Sequence, residues 1–261
     1  MNTYLTPAWK LFYLQVVAHI GLVYYIFTAT AQEWMITIPI YVFVSWFGLV
    51  VFYHRYLAHK SWPINKFTYY LGCIAGSYAG IGSPLEWTAI HRAHHRFVDT
   101  DRDPHGPGHL GFWRVQFLGM FASTANMMTY ASFCADLIRS KFHKHLAKNY
   151  YRYHCAIILA LAIIDFRLLL AAYLAPVAMC WQFGSFVNSA NHTWGYKNSN
   201  TRHNARNFWL TALIFYGEGW HDNHHSWPTD YTTKRNWWEF DISAVLIKLI
   251  RSRKDERFVP F

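Results

Sequence analysis

Residues 34–59 read WMITIPIYVFVSWFGLVVFYHRYLAH. The run from Trp34 to Tyr53 is long and apolar enough to cross a bilayer, which takes about 20 such residues. It then passes without a break into His54 and His59. Histidine is the commonest metal-ligating side chain near neutral pH. A span that delivers two histidines at its end therefore points to a membrane protein with metal chemistry at the membrane edge.

The rest of the chain fits that reading. Hydrophobic residues make up 53% of the 261 residues and charged residues only 15%, against roughly 25% charged in average soluble domains. The 13 Trp, 18 Tyr and 20 Phe suit interfacial aromatic belts. A formal net charge of +10 raises nucleic acid as a partner. Apolar runs separate the basic residues, however, so a cytoplasmic membrane face or an acidic protein partner explains the charge better, and no nucleic acid is expected. Cys73, Cys134, Cys155 and Cys180 form no CxxC pair and are expected to be buried, reduced thiols.

Working outward from Trp34, the stretches 11–29 and 168–190 are further spans. The short apolar run Cys155–Ile164, extended back through Tyr150, Tyr151 and Tyr153, gives a fourth at 150–164, with Asp165-Phe166-Arg167 as the turn to its partner. Ala29-Thr30-Ala31 has the small residues of a signal-peptidase site. Lys10 is the only positive charge ahead of it, so an uncleaved span is expected. Of the 24 Lys and Arg, 12 lie between His54 and Tyr153 and 10 between His192 and Phe261. The positive-inside rule then places both long segments, and both termini, in the cytoplasm. The expected fold is all-α and integral to the membrane: a single domain, 1–261, of four transmembrane helices in two hairpins. A cytoplasmic helical cap, 54–149 and 191–261, holds a histidine-rich dimetal site. Phe67–Leu85 is apolar enough to tempt a fifth crossing. That would put His54 and His59 across the membrane from His91, His94 and His95, so it is expected to pack on the cytoplasmic face. Glu239–Arg253 has the spacing of an amphipathic interfacial helix.

Three histidine clusters and one outlier carry the chemistry: His54 and His59; His91, His94 and His95 in HRAHH; His221, His224 and His225 in HDNHH; and His192, four residues after Asn188. Residues three and four apart share a helix face, so each triplet is expected to point one way, and Asn188 and His192 to share a face. His54 and His59 diverge by about 140° on a regular helix, which suits two metals or two sides of one pocket. Nine imidazoles exceed the usual four-ligand site; two metals with four or five nitrogens each use the set. Imidazole suits iron, zinc, copper and nickel alike, so the spacing leaves the metal open. Glu86, Asp99, Glu218 and Asp222 stand beside the clusters as acceptors for the other ring nitrogens. His19, His105, His109, His143, His145, His154 and His203 are expected to be structural.

In order and spacing, HRYLAH, HRAHH, GEGWHDNHH and the NSANH segment resemble the membrane fatty acyl desaturases, over roughly His54–Asp241. Stretches EWTAIHRAHHRFVDTDRDPHGP and NWWEFD extend the likeness, which is nearest to the Δ9-type enzymes. The resemblance implies a centre of two iron ions held by His54, His59, His91, His94, His95, His192, His221, His224 and His225, with Asn188 acting through water. It implies that O2 and two electrons insert a cis double bond into an acyl chain. An unactivated methylene has no acidic proton, so a metal–oxygen oxidant is what this reaction needs. A bent apolar tunnel would hold the acyl chain, and Ile40–Trp46 are candidates to close it.

Some positions depart from the pattern. Asp222 stands where Asn is common, and Ala89-Ile90 and HLGFW stand where animal acyl-CoA enzymes carry headgroup-binding charges. An acyl-lipid substrate is therefore favoured over acyl-CoA. Electrons are expected from a separate donor, ferredoxin or cytochrome b5. The alternatives are a related hydroxylase or alkane monooxygenase and, in a different class, a histidine-rich membrane metal-binding or transport protein. Transport ligands belong inside the bilayer, whereas these histidines fall outside the apolar runs.

Overall fold

A computed structural model describes residues 8–119 and 127–252. The expected cap residues 120–126 and 253–261, including the Arg253 end of the amphipathic segment, lie outside the described residues. Twelve α-helices, interrupted by π- and 3-10-helical segments, make up the described chain, and the only β pairing among described residues is two isolated bridges, Tyr196–Asn207 and Asn207–Trp220.

Among the described residues, three helices are long and apolar enough to cross a membrane. Helix α1 is Ala8–Thr28. Helix α2, Ala31–Val42, opens on a capping box between Thr30 and Glu33 and continues as a π-helix over Phe43–Ala58. The third is built from α8 (Phe166–Leu169), a π turn at Leu170–Leu174 and α9 (Ala175–Asn191). The fold is thus all-α and multi-span. The fourth expected crossing is the end of a 24-residue helix, Lys141–Ile164 (α7). Its first 13 residues carry the lysines, Arg152 and the tyrosines, and it does not have the apolar length of the other three. Arg167 joins the ends of the spans on the side away from the histidines: it pairs with Glu33 at 2.5 Å and donates to the Thr28 carbonyl at 2.8 Å.

The Ala31–Ala58 helix has 28 residues; it falls somewhat short of the roughly 40 Å of an α-helix at 1.5 Å per residue, because its π-helical residues rise less, but still exceeds a hydrocarbon core of about 30 Å. The excess lets one rigid element cross the bilayer and still present His54 beyond it. The π register replaces i→i+4 with i→i+5 hydrogen bonds, and the His59 N–H accordingly donates to the His54 carbonyl at 3.3 Å. Residues five apart are thereby brought towards one face. The expected divergence of His54 and His59 does not occur; the π-helix removes it.

Helix α3, Lys66–Tyr78, is 13 residues long and packs along this π segment. The contact is backbone-close. A Cβ on Gly48 would lie 2.7 Å from the Ala75 carbonyl carbon and the Gly76 nitrogen, and one on Gly72 would lie 2.2 Å from the Phe52 ring. Small residues permit this approach. Gly48→Ala meets backbone that cannot rotate aside, so it is expected to cost roughly 1–3 kcal/mol as overpacking. Thermal unfolding in detergent or nanodiscs checks this, and an unchanged midpoint would contradict the packing.

Helix α4, Pro84–Phe97, carries His91, His94 and His95. The short helices α5 (Pro107–Leu110) and α6 (Phe112–Leu118) follow. After α9 come α10 (Trp209–Ile214), α11 (His221–Ser226) and α12 (Ile242–Ile250). Val245 and Leu249 of α12, with Trp237 and Trp238 before it, are exposed, as an interfacial helix requires. The cysteines are free; Cys73, Cys134 and Cys180 are buried, but Cys155 is exposed on α7, contrary to expectation.

Candidate metal centre

Four separate elements bring the histidines together: the end of the π-helix, α4, the end of α9 and α11. They form two groups, each with ligand atoms within 4.8 Å of one another: His54, His59, His91, His95 and His224, and His94, His192, His221 and His225. The triplets do not point one way as the spacing suggests. On α4 the i,i+4 pair His91 and His95 enters the first group and His94 the second. On α11 the i,i+4 pair His221 and His225 enters the second group and His224 the first. A 3.6-residue turn puts i and i+4 closest to one line and swings i+3 to its flank. Each triplet therefore serves both groups.

Within each group the Nε2 atoms face one another: His54–His224 at 2.8 Å, His59–His91 at 2.8 Å, His224–His95 at 3.0 Å and His225–His221 at 3.1 Å. One Nε2–H donates only once, yet His224 Nε2 faces two other nitrogens. Two imidazole nitrogens about 2.0–2.1 Å from one ion, roughly 90° apart, lie about 2.9 Å from each other. The spacing therefore fits shared coordination better than hydrogen bonding. Nε2 of His94 and His192 is buried without a hydrogen-bond partner, again as a ligand atom would be. Burial first, and the neighbouring imidazoles second, hold His59, His91, His95, His221, His224 and His225 well below the ordinary histidine pKa. These are neutral imidazoles with lone pairs to offer.

Carboxylates fix three of the rings from behind. Glu218 contacts His54 Nδ1 at 2.5 Å, Asp103 contacts His94 Nδ1 at 2.8 Å and Asp99 contacts His192 Nδ1 at 3.2 Å. Each sets which nitrogen is left for a metal. Burial alone would raise the Glu218 pKa, but His54 and Arg55 hold it at about 2. Two of the four expected acceptors, Asp99 and Glu218, thus fill that role. Glu86 caps α4 through the Ser83 N–H at 2.8 Å. Asp222 accepts from Asn198 N at 2.6 Å, Ser199 N at 2.9 Å and Ser199 Oγ at 2.5 Å, tying the 196–207 loop to α11. Asp103 escaped the sequence reading because it lies nine residues beyond His94, past any helical spacing; the dense DTDRD run was its only signal.

Asn188 donates to the Gly184 carbonyl at 2.9 Å and lines the cavity beside the centre. This cavity, of about 100 Å³, runs from His54, His91 and His221 between Leu49, Val50, Ile81, Trp87, Trp181 and Phe183. Ile40–Trp46, expected to close it, are not among its lining residues; Trp46 instead stacks on Tyr216 and donates to Ser243 Oγ at 3.0 Å. Among the histidines expected to be structural, His105 lines the cavity, with its Nε2 buried and unpartnered, and His203 sits 5.3 Å, ring to ring, from His225. His143 meets the Tyr69 hydroxyl at 2.5 Å, and His154 meets Tyr173.

Arg92, between the ligand-group residues of α4, ties that helix to the end of the π-helix. It donates to the carbonyls of Leu57 at 2.6 Å and Ala58 at 2.8 Å, and to Asp136 at 2.7 Å. Burial would raise the Asp136 pKa, but hydrogen bonds from Arg92 and Lys60 hold it at about 2, below its ordinary 3.8. A depressed carboxylate stabilises the fold fully above its unfolded pKa. That contribution is expected to vanish as pH falls from about 4 towards 2. Comparing thermal midpoints of wild type and Asp136→Asn across that window checks it: the gap should be constant near neutrality and close in acid.

Comparison with known proteins gives one family. Residues 5–244 match the family described as Fatty acid desaturase. The chain is 32% identical over 220 residues to the sn-2 palmitoyl-lipid 9-desaturase of Nostoc sp., covering 81% of this chain and 77% of that one. It is 30% identical over 264 residues to the sn-1 stearoyl-lipid 9-desaturase of Synechocystis sp., covering 98% and 82%. An Acyl-CoA C20 Delta5-desaturase of Anemone leveillei is 28% identical over 227 residues, covering 85% and 72%.

Proposed function

Because the chain belongs to the fatty acid desaturase family, we propose that its two histidine groups hold two iron ions for the O2-dependent insertion of a cis double bond into a glycerolipid acyl chain. It is a membrane fatty acyl desaturase with a histidine-rich metal site. His54, His59, His91, His95 and His224 would hold one ion. His94, His192, His221 and His225 would hold the other, with Asn188 acting on it through water. The observation that carries this reading is the convergence of nine imidazoles into a group of five and a group of four. Bound iron supplies the power to oxidise an unactivated chain: one –CH2–CH2– segment, O2, two electrons and two protons become one –CH=CH– and two waters.

The protein's own residues position that chemistry. Glu218, Asp103 and Asp99 aim the rings. The apolar cavity excludes water and lays the chain past both groups, with Trp87 stacked flat on His91 at 4.8 Å to shape its wall. The Δ9 position is favoured by the 9-desaturases among the similar proteins. Ala89 and Ile90 are buried and apolar where an acyl-CoA enzyme would present charge, which favours a glycerolipid carrier. In the membrane, α7 completes a second hairpin with the Phe166–Asn191 helix, and the centre and both termini face the cytoplasm. Ferredoxin or cytochrome b5 delivers the electrons. Expression in a host lacking desaturases, with mass spectrometry of its lipids, is the test. A cis-9 monoene in the glycerolipids is expected; an alcohol in its place would make the protein a hydroxylase, and unaltered lipids would refute the reading.

A further inference from the structure

Helices α1, α6 and α9 enclose a second cavity, of about 150 Å³. Its wall mixes Phe12, Val16 and Phe117 with Gln15, His19 and Gln182. Three polar side chains on apolar, membrane-crossing helices are costly unless they serve a purpose. They belong to one ladder. Gln15 Nε2 donates to the Gly80 carbonyl at 2.6 Å, and His19 Nδ1 donates to the Gln15 carbonyl at 2.7 Å. That leaves His19 Nε2 to accept from Gln182 Nε2 at 2.8 Å. Gln182 Oε1 accepts from Gln116 Nε2 at 2.8 Å, and Gln116 Oε1 from Ser189 Oγ at 2.8 Å.

The ladder does not exhaust its own capacity. Each amide NH2 has two hydrogens, and these bonds use one on Gln182 and one on Gln116. Gln15 is 4% exposed, and its Oε1 is buried with no hydrogen-bond partner. A ligand that supplies both acceptors and a hydroxyl donor would complete the set. Phe12, Val16 and Phe117 are exposed at the rim, so the cavity is reached from the lipid-facing side. No Lys or Arg lines it among the described residues, so it offers nothing to a polyphosphate. Trp181 lines both this cavity and the one at the metal centre.

We propose that this crevice holds the ester region of an uncharged, hydroxyl-bearing membrane glycerolipid, whose acyl chain passes Trp181 into the cavity at the metal centre. The ester carbonyls accept from the free amide hydrogens of Gln182 and Gln116, and a headgroup hydroxyl donates to Gln15 Oε1. The inference rests on the desaturase reading and names the carrier that the site takes.

The test is photo-crosslinking in nanodiscs containing isotope-labelled monoglycosyl dipalmitoylglycerol. The photoreactive residue p-benzoylphenylalanine replaces Val16, at the crevice, or Ile20, on the exposed face of α1. Labelling at Val16 is expected to exceed that at Ile20 by about ten-fold. Gln182→Leu or Gln15→Leu should reduce it about ten-fold, the loss that follows removal of one ligand hydrogen bond. Equimolar palmitoyl-CoA should not compete. Equal labelling at the two positions, indifference to both substitutions, or displacement by palmitoyl-CoA would overturn the proposal. If Gln182→Leu does not fold, Gln15→Leu decides by the same ratio. The readout needs no turnover. A wild-type protein that labels at Val16 yet forms no double bond would instead sink the desaturase reading.

Discussion

His224→Ala is expected to lower double-bond formation by more than about 100-fold, because even the outer partners of a metal ligand cost 10–100-fold when removed. His224 stands at the crossing of the first group. Its Nε2 is 2.8 Å from His54 Nε2 and 3.0 Å from His95 Nε2, so it bridges a ring of the π-helix and a ring of α4. It is also the only member of that group supplied by α11. Truncation leaves four nitrogens and removes the one that faces both His54 and His95. Metal content should fall together with activity, from two equivalents per chain towards one, while helix content by circular dichroism stays at the wild-type value. A variant that retained both metal and monoene yield would remove His224 from the site.

Arg55→Met is expected to lower both stability and metal occupancy. Arg55 is fully buried between two carboxylates: it donates to Glu218 Oε1 at 2.8 Å, to Asp241 Oδ2 at 2.8 Å and to the Tyr231 carbonyl at 2.8 Å. Glu218 in turn holds His54. Asp241 accepts from Thr233 N at 2.8 Å and caps α12 through Ala244 N at 2.9 Å. Breaking a buried pair by removing one partner costs about 3–5 kcal/mol, because the remaining charge is left without its counterion. For a chain of this size that corresponds to a thermal midpoint lower by roughly 10 °C. Glu218→Gln separates the two effects. It keeps a hydrogen-bonding group beside Arg55 but removes the charge behind His54, so it should weaken metal binding about 10–100-fold with a smaller loss of midpoint. Equal midpoints for wild type and Arg55→Met would show that this network contributes nothing to the fold.

The network also shows how far pattern reading reaches. The likeness in NWWEFD is visible in the chain, but its reason is not. Glu239 accepts from Arg235 N, Asn236 N and the Tyr196 hydroxyl, and it meets Asn223, which holds α11 in place. Asp241 meets Arg55, which lies 186 residues earlier. Partners so far apart leave no periodic trace, because helical spacing reports only what one helix presents to one side. Gly72 and Gly76 of the Phe67–Leu85 stretch are likewise visible as breaks in an apolar run, yet only the Phe52 and Tyr53 rings of the π-helix packed against them say why glycine stands there.

The sequence by itself determined the membrane class, three of the spans, the family and the segments on which the histidine clusters stand. Each depends on composition or on spacing within one segment. Tertiary structure decided how the histidines divide. His54 and His59 share a group because the helix that bears them winds in a π register, and each triplet splits because histidines of other elements meet both its i,i+4 line and its i+3 flank. It also decided which carboxylates stand behind the rings, bringing in Asp103 and turning Glu86 and Asp222 to the backbone. Register and long-range contact are properties of packed helices; no spacing along one helix contains them.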